Sequence, residues 1–150
     1  MRTRQRGYAI PMRHVMTLDR ADAERAITAM TQLLVLEGKP AVMAVADAHG
    51  DLVLLARMDG APPSSVTIAT NKAWTAAREG VRTYEIGQRV KSEDDAFDIA
   101  YYGDDRYIGW GGGVPVLVEG VVVGAVAVSG LPELEDQRVA EAGAHAIVGR

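Results

Sequence analysis

Apolar positions along this chain change their period in a definite order. Over residues 17–37, Ala23, Ala26, Ile27, Met30, Leu33 and Leu34 recur at i, i+3, i+4 and i+7, while Asp19, Arg20, Glu24 and Arg25 take other faces. That spacing predicts an amphipathic helix. Thr17 or Asp19 caps its start, and Gly38 followed by Pro40 ends it. The stretch AVMAVADAHGDLVLLARMDG then predicts a hairpin of strands 41–46 and 52–57 around the turn DAHGD. In that turn Gly50 suits a positive φ, and the Asp47 side chain suits a bond back to the turn backbone. A second helix is expected from Pro63 or Ser64 to Gly80. Its small face, Ala69, Ala73, Ala76 and Ala77, allows close approach to a sheet.

The pattern weakens over 83–106, where two short helical pieces, 84–90 and 94–101, flank the charged KSEDD. It then returns to β character. Strand 114–118 meets strand 121–129 across a tight Glu119-Gly120 turn. A last helix follows, with Pro132 near its first turn and Val139, Ala142, Ala146 and Ile147 as its apolar stripe. Two hairpins cannot build a wound parallel sheet, because parallel neighbours need long crossovers. The expected class is α+β: a central antiparallel sheet of two hairpins with helices packed on it.

Composition narrows the function classes. With 150 residues and 48% hydrophobic content, the chain is long enough and apolar enough for one folded core, read as residues 17–150 behind a flexible arm over 1–16. The arm lacks an apolar segment of signal-peptide length, and the longest apolar run, 121–128, is too short to span a bilayer. A cytoplasmic protein without a membrane partner is the expectation. A net charge of −4 with interspersed signs offers no basic face for nucleic acid. The absence of cysteine excludes disulfides, thiolate chemistry and Cys-ligated metal.

Candidate chemistry gathers at YIGWGGGVPV, residues 107–116. Three glycines in a row are costly to order, so bare backbone must be required there. A phosphate loop follows a strand and opens a helix, whereas Gly111, Gly112 and Gly113 precede a strand. Two readings stay open. Either the strand entry bends where a helix crosses closely, or the glycines form a floor of amides beside Trp110 for a planar or anionic ligand.

The strings VADAHGDLVLLARMDGAP, SVTIATNKAWTAA, GGGVPVLVEGVVVGAVAVSG and ELEDQRVAEAG, in that order, closely resemble the GlcG/HbpS family of heme-degrading or heme-binding proteins. That family is in turn similar to the C-terminal domain of PduO-type proteins. The resemblance covers residues 17–148, and implies a profilin-like fold, homo-oligomers of two or more chains, and heme as a possible cofactor or ligand. Other members of the family sit in catabolic pathways for small organic acids and aromatics, so the resemblance also implies a role of that kind. In the heme-binding PduO-type relatives an axial histidine is expected on the first helix, and residues 18–37 contain none. The histidines here are His14, on an arm able to reach a pocket, His49, which reads as a polar turn residue, and His145 near the end of the last helix, which reads as a packed or surface helix residue. Met30, at core spacing, reads as core.

Among the charges, Arg57, Asp59 and Lys72 sit in apolar or small-residue surroundings. One reading is a structural ion pair joining hairpin and helix. The other sets Arg57 and Lys72 beside Trp110 and Gly111 to Gly113 as ligand-binding residues that hold a carboxylate. Lys72 and Asp59 are then the candidate catalytic acid–base groups. A carboxylate-bearing ligand fits both heme and a small metabolite, so an enzyme or accessory protein for a small carboxylated metabolite stands as the alternative to a tetrapyrrole binder. The acidic residues Glu93, Asp94, Asp95, Asp98, Asp104 and Asp105 lack the glycine and alternation of a calcium loop and read as solvated surface. Ser129 has no visible base partner and reads as a turn residue.

Overall fold

The computed structural model describes residues 12–92 and 96–149. Within them the chain forms α1 (Arg20–Glu37), β1 (Val42–Asp47), β2 (Leu52–Arg57), α2 (Ser65–Glu79), α3 (Thr83–Lys91), a 3-10 turn (Ile99–Tyr102), β3 (Gly113–Val118), β4 (Val121–Ser129) and α4 (Glu133–Val148). The strands make one antiparallel sheet in the order β2-β1-β4-β3. This is the α+β arrangement expected from two hairpins, joined through β1 and β4. Most of the expected arm, residues 1–11, lies outside the described residues, as do Glu93, Asp94 and Asp95 with the start of the expected 94–101 helix.

Local chemistry sets the element ends. Asp19 caps α1 by accepting from the Asp22 amide at 2.9 Å, and Asp22 returns the favour to the Asp19 amide at 3.0 Å. The helix thus begins at Arg20 rather than Thr17. Thr17 is used elsewhere: its hydroxyl accepts from the Ala48 amide at 2.9 Å, tying the segment before α1 to the first hairpin turn. In that turn Asp47 Oδ1 accepts from the amides of His49 and Asp51, and Gly50 has φ 95°. The second hairpin turns on Glu119 and Gly120, both at positive φ (50° and 77°), as primed two-residue turns require.

The sheet is covered on both faces, so β1 is buried along most of its length instead of alternating. Met43 and Val45, with Val126 and Val128, face α1 and α4 through Met30, Leu34, Val139 and Ile147. Val42, Ala44, Ala46 and Ala127 face the alanine stripe of α2. The buried stripe of α4 is rotated from expectation. Val139, Ala140, Gly143, Ala144 and Ile147 are buried, whereas Ala142 and Ala146 are half-buried, because α4 presses Gly143 onto α1. A Cβ at Gly143 would lie 2.7 Å from Met30 Sδ and 3.0 Å from Val126 Cγ1. Gly143→Val is therefore expected to cost about 1–3 kcal/mol through overpacking, measured as a lowered urea midpoint with an unchanged m value.

Candidate functional site

Lys72 lies on the same face of α2 as Ala69, Ala73 and Ala76, so its stem leaves the helix toward the core. It is 2% exposed. An ammonium so buried needs partners. Its Nζ donates to the Val128 carbonyl at the end of β4 and to Asp136 Oδ2 in the first turns of α4, both at 3.0 Å. The other carboxylate oxygen of Asp136 accepts from the Leu131 amide at 3.0 Å. Burial pushes the Lys72 ammonium below its ordinary value, with the Asp136 charge opposing. Burial likewise raises the Asp136 carboxyl from 3.8 to about 6 against the pull of Lys72.

The glycines explain how this pair fits. A Cβ on Gly112 would stand 2.5 Å from the Val128 carbonyl oxygen, 2.7 Å from Lys72 Nζ and 2.9 Å from Asp136 Cβ. Its φ of 129° is also foreign to side-chain-bearing residues. The Gly113 amide donates to Thr83 Oγ1 and the Gly111 amide to Glu133 Oε2, each at 2.9 Å. The expected floor of ligand-facing amides is therefore corrected for Gly111 and Gly113: the protein's own side chains occupy them. Gly112 leaves room for the Lys72 ammonium, and Gly113 lets the start of β3 approach the Lys72 backbone.

Beside the pair opens a groove of about 430 Å³ whose lining includes Ser65, Lys91, Trp110, Ser129 and Glu133 together with Lys72 and Asp136. Trp110 is 59% exposed. A smaller recess of about 270 Å³ adjoins it, lined by Val90, Ile99, Tyr107 and Ile108. Lys91 and Trp110 line both spaces and so stand between a polar groove and an apolar recess. The second tryptophan, Trp74, is buried and carries the guanidinium of Arg106 at 4.1 Å and that of Arg78 at 4.8 Å. Its role is structural.

The sequence-predicted residues divide. Lys72 and Trp110 meet at the groove. Arg57 and Asp59 do not: both are exposed, at and just beyond the end of the edge strand β2, and neither lines the groove. The expected Arg57–Asp59–Lys72 pairing is overturned, because Lys72 points across the end of β4 to Asp136. Ser129, expected as a turn residue, closes β4 and lines the groove. His14, His49 and His145 are exposed, and none lines the groove. Asp104 is held by Arg106 in a two-point ion pair. Among the described residues no three His, Asp or Glu side chains are placed to hold a metal ion, and no helix is long and apolar enough to cross a membrane.

Sequence reasoning missed Asp136, Lys91 and Glu133. For Asp136 a signal existed: it precedes Val139 and Ala140 at helical spacing, a carboxylate in line with an apolar stripe. It is the counterpart of Lys72 in line with the alanines of α2.

The model of the family described as Haem degrading protein HbpS-like matches residues 18–145. The chain belongs to that family. A relative, the uncharacterized 15.0 kDa protein of the dhaT-dhaS intergenic region of Citrobacter freundii, is 33% identical over 85% of this chain and 89% of its own length. The Klebsiella pneumoniae protein ORFY superimposes with a TM-score of 0.87 at 31% identity, over 93% of this chain and 96% of ORFY. The PduOC:heme complex superimposes with a TM-score of 0.79 at 25% identity, covering 87% and 95% of the two chains.

Asp136 gives this HbpS-like fold a defined pH response. Its folded-state value, about 6, lies above the ordinary 3.8, so its contribution to stability is full below 3.8 and is lost as pH rises through about 6. Asp136→Asn removes that titration. The difference between wild-type and variant urea midpoints is expected to change across this window and to be flat above it. A difference flat across the whole range would contradict the burial of this carboxyl.

Proposed function

We propose that the chain is a small-molecule-binding protein of the HbpS type, and that its ligand is a planar, carboxylate-bearing molecule of the heme-like tetrapyrrole class. The observation that carries this reading is the shared wall of the two cavities. Trp110 offers an exposed aromatic face between an apolar recess and a polar groove, and Lys91 beside it offers a cation for a carboxylate. An amphiphilic macrocycle has the matching distribution, apolar over its ring and anionic at one side. Family membership and the likeness to the PduOC:heme complex support the same class.

Iron needs an axial donor that the lining does not offer. Among the described residues neither cavity is lined by His, Cys or Met, and the Tyr107 hydroxyl at the recess accepts from Arg78 Nε at 3.4 Å. A larger cleft of about 450 Å³ elsewhere includes Met16 and aliphatic walls, but among the described residues its charged lining is Asp22 and Glu119, which repel a propionate. The residues of the groove do not fit an axial iron ligand. The reading accordingly rests on ring stacking and carboxylate pairing, with no step assigned to iron.

A second reading, an enzyme or accessory protein for a small carboxylated metabolite, is favoured by the buried Lys72–Asp136 pair at the same groove. Asp136 replaces Asp59 as the acid–base partner in it. Self-association into a dimer or larger assembly, implied by the family, belongs to either reading and is measured by sedimentation.

Titration with hemin and with iron-free protoporphyrin separates the possibilities. If face and carboxylate carry the binding, both quench tryptophan fluorescence with Kd values within about threefold of each other. Trp110→Ala is expected to weaken both by about tenfold, or ~1.4 kcal/mol. Binding of hemin alone would overturn the iron-independent mode, and binding of neither would overturn the tetrapyrrole reading.

A further inference from the structure

We propose that Lys72 is an imine-forming residue, whose amine condenses with the carbonyl carbon of a small 2-oxo acid held in the groove while Asp136 carries the protons. The inference rests on the reading of this groove as the ligand site. It goes beyond binding in assigning a covalent step.

The geometry has the parts that such a step needs. Lys72 lines a groove that opens to solvent, yet is itself 2% exposed. A nucleophilic lysine is one whose ammonium is destabilised by lost hydration. Its immediate acceptors are a carbonyl oxygen, which cannot take a proton, and the Asp136 carboxylate, which can. Proton transfer across that 3.0 Å contact leaves a neutral amine beside a carboxylic acid. Burial shifts the two groups toward each other and favours the exchange. Lys91 and Ser65 line the same space and supply a cation and a hydroxyl for the substrate carboxylate.

The step balances without a redox partner. The nitrogen lone pair forms a bond to the carbonyl carbon, and the carbonyl π pair moves to oxygen, which takes the proton from Asp136. The added nitrogen returns a proton to the Asp136 carboxylate. Reprotonation of the hydroxyl by Asp136 releases one water, and the nitrogen lone pair completes the C=N bond as an iminium. No electrons leave or enter the system.

The chain has three lysines, Lys39, Lys72 and Lys91, which makes the test direct. The intact protein is incubated with pyruvate and sodium cyanoborohydride near neutral pH, digested and mapped by mass spectrometry. Lys39, half-exposed in a surface ion pair with Glu135, is the internal reference. The reduced adduct is expected on Lys72 at least about tenfold faster than on Lys39, despite its burial. Adducts ordered by exposure, or none on Lys72, would overturn the proposal. Acetaldehyde, a carbonyl without a carboxylate, is the second probe. A Lys72-to-Lys39 ratio as high as with pyruvate would overturn the 2-oxo acid class.

Asp136→Asn, shown by circular dichroism to be folded, is expected to slow the Lys72 adduct and leave Lys39 unchanged. An unaltered ratio would remove Asp136 from the step. The porphyrin titration is read separately. Porphyrin binding without a Lys72 adduct overturns the imine and spares the tetrapyrrole reading, while the converse result overturns the tetrapyrrole reading and spares the imine.

Discussion

The Lys72–Asp136 ion pair is the contact around which this end of the molecule is arranged. α2 and α4 lie on opposite faces of the sheet, and elsewhere each meets only its own face. Here a side chain from one helical layer reaches a side chain of the other past the start of β3 and the end of β4. Two buried charges are costly unless hydrogen bonds compensate them, and here the Val128 carbonyl accepts from the ammonium while the Leu131 amide donates to the carboxylate. That requirement reaches back into the sequence. The glycine at 112 is needed because any side chain there would occupy the ammonium's place.

The groove follows from the same arrangement. Ser65 begins α2, Ser129 ends β4 and Glu133 opens α4, so three element ends converge where the ion pair ties them. Lys91, the last residue of α3, and Trp110 complete the rim from the other side. The chemistry on offer is consequently uneven. The floor is charged but dehydrated, the rim is aromatic and cationic, and the neighbouring recess is apolar.

Much of the fold was legible because period and turn chemistry agreed. The helix of residues 20–37, the two hairpins, the positive-φ pair at Glu119 and Gly120, and the small face of α2 all follow from local pattern. The rotation of α4 was not legible, since Ala142, Ala146, Ala140 and Ala144 are the same residue and only the contact with Met30 chooses between them. The site was half legible. A lysine on an alanine stripe announced a buried charge, but the partner was sought nearby in Arg57 and Asp59. The true partner is 64 residues away and belongs to the opposite layer, a pairing that depends on the strand order β2-β1-β4-β3. The glycine triplet was legible as a steric demand, and its beneficiary was not.

The seam between α2 and the sheet has one more implication. Its buried side chains are alanine apart from Val42, with Ala44, Ala46 and Ala127 against Ala69 and Ala73. A methyl group has no rotamers, so this joint cannot absorb a larger residue by turning a side chain aside. A change of volume in this seam therefore shifts α2 bodily against the sheet, whereas a change at the exposed Trp110 leaves the seam untouched.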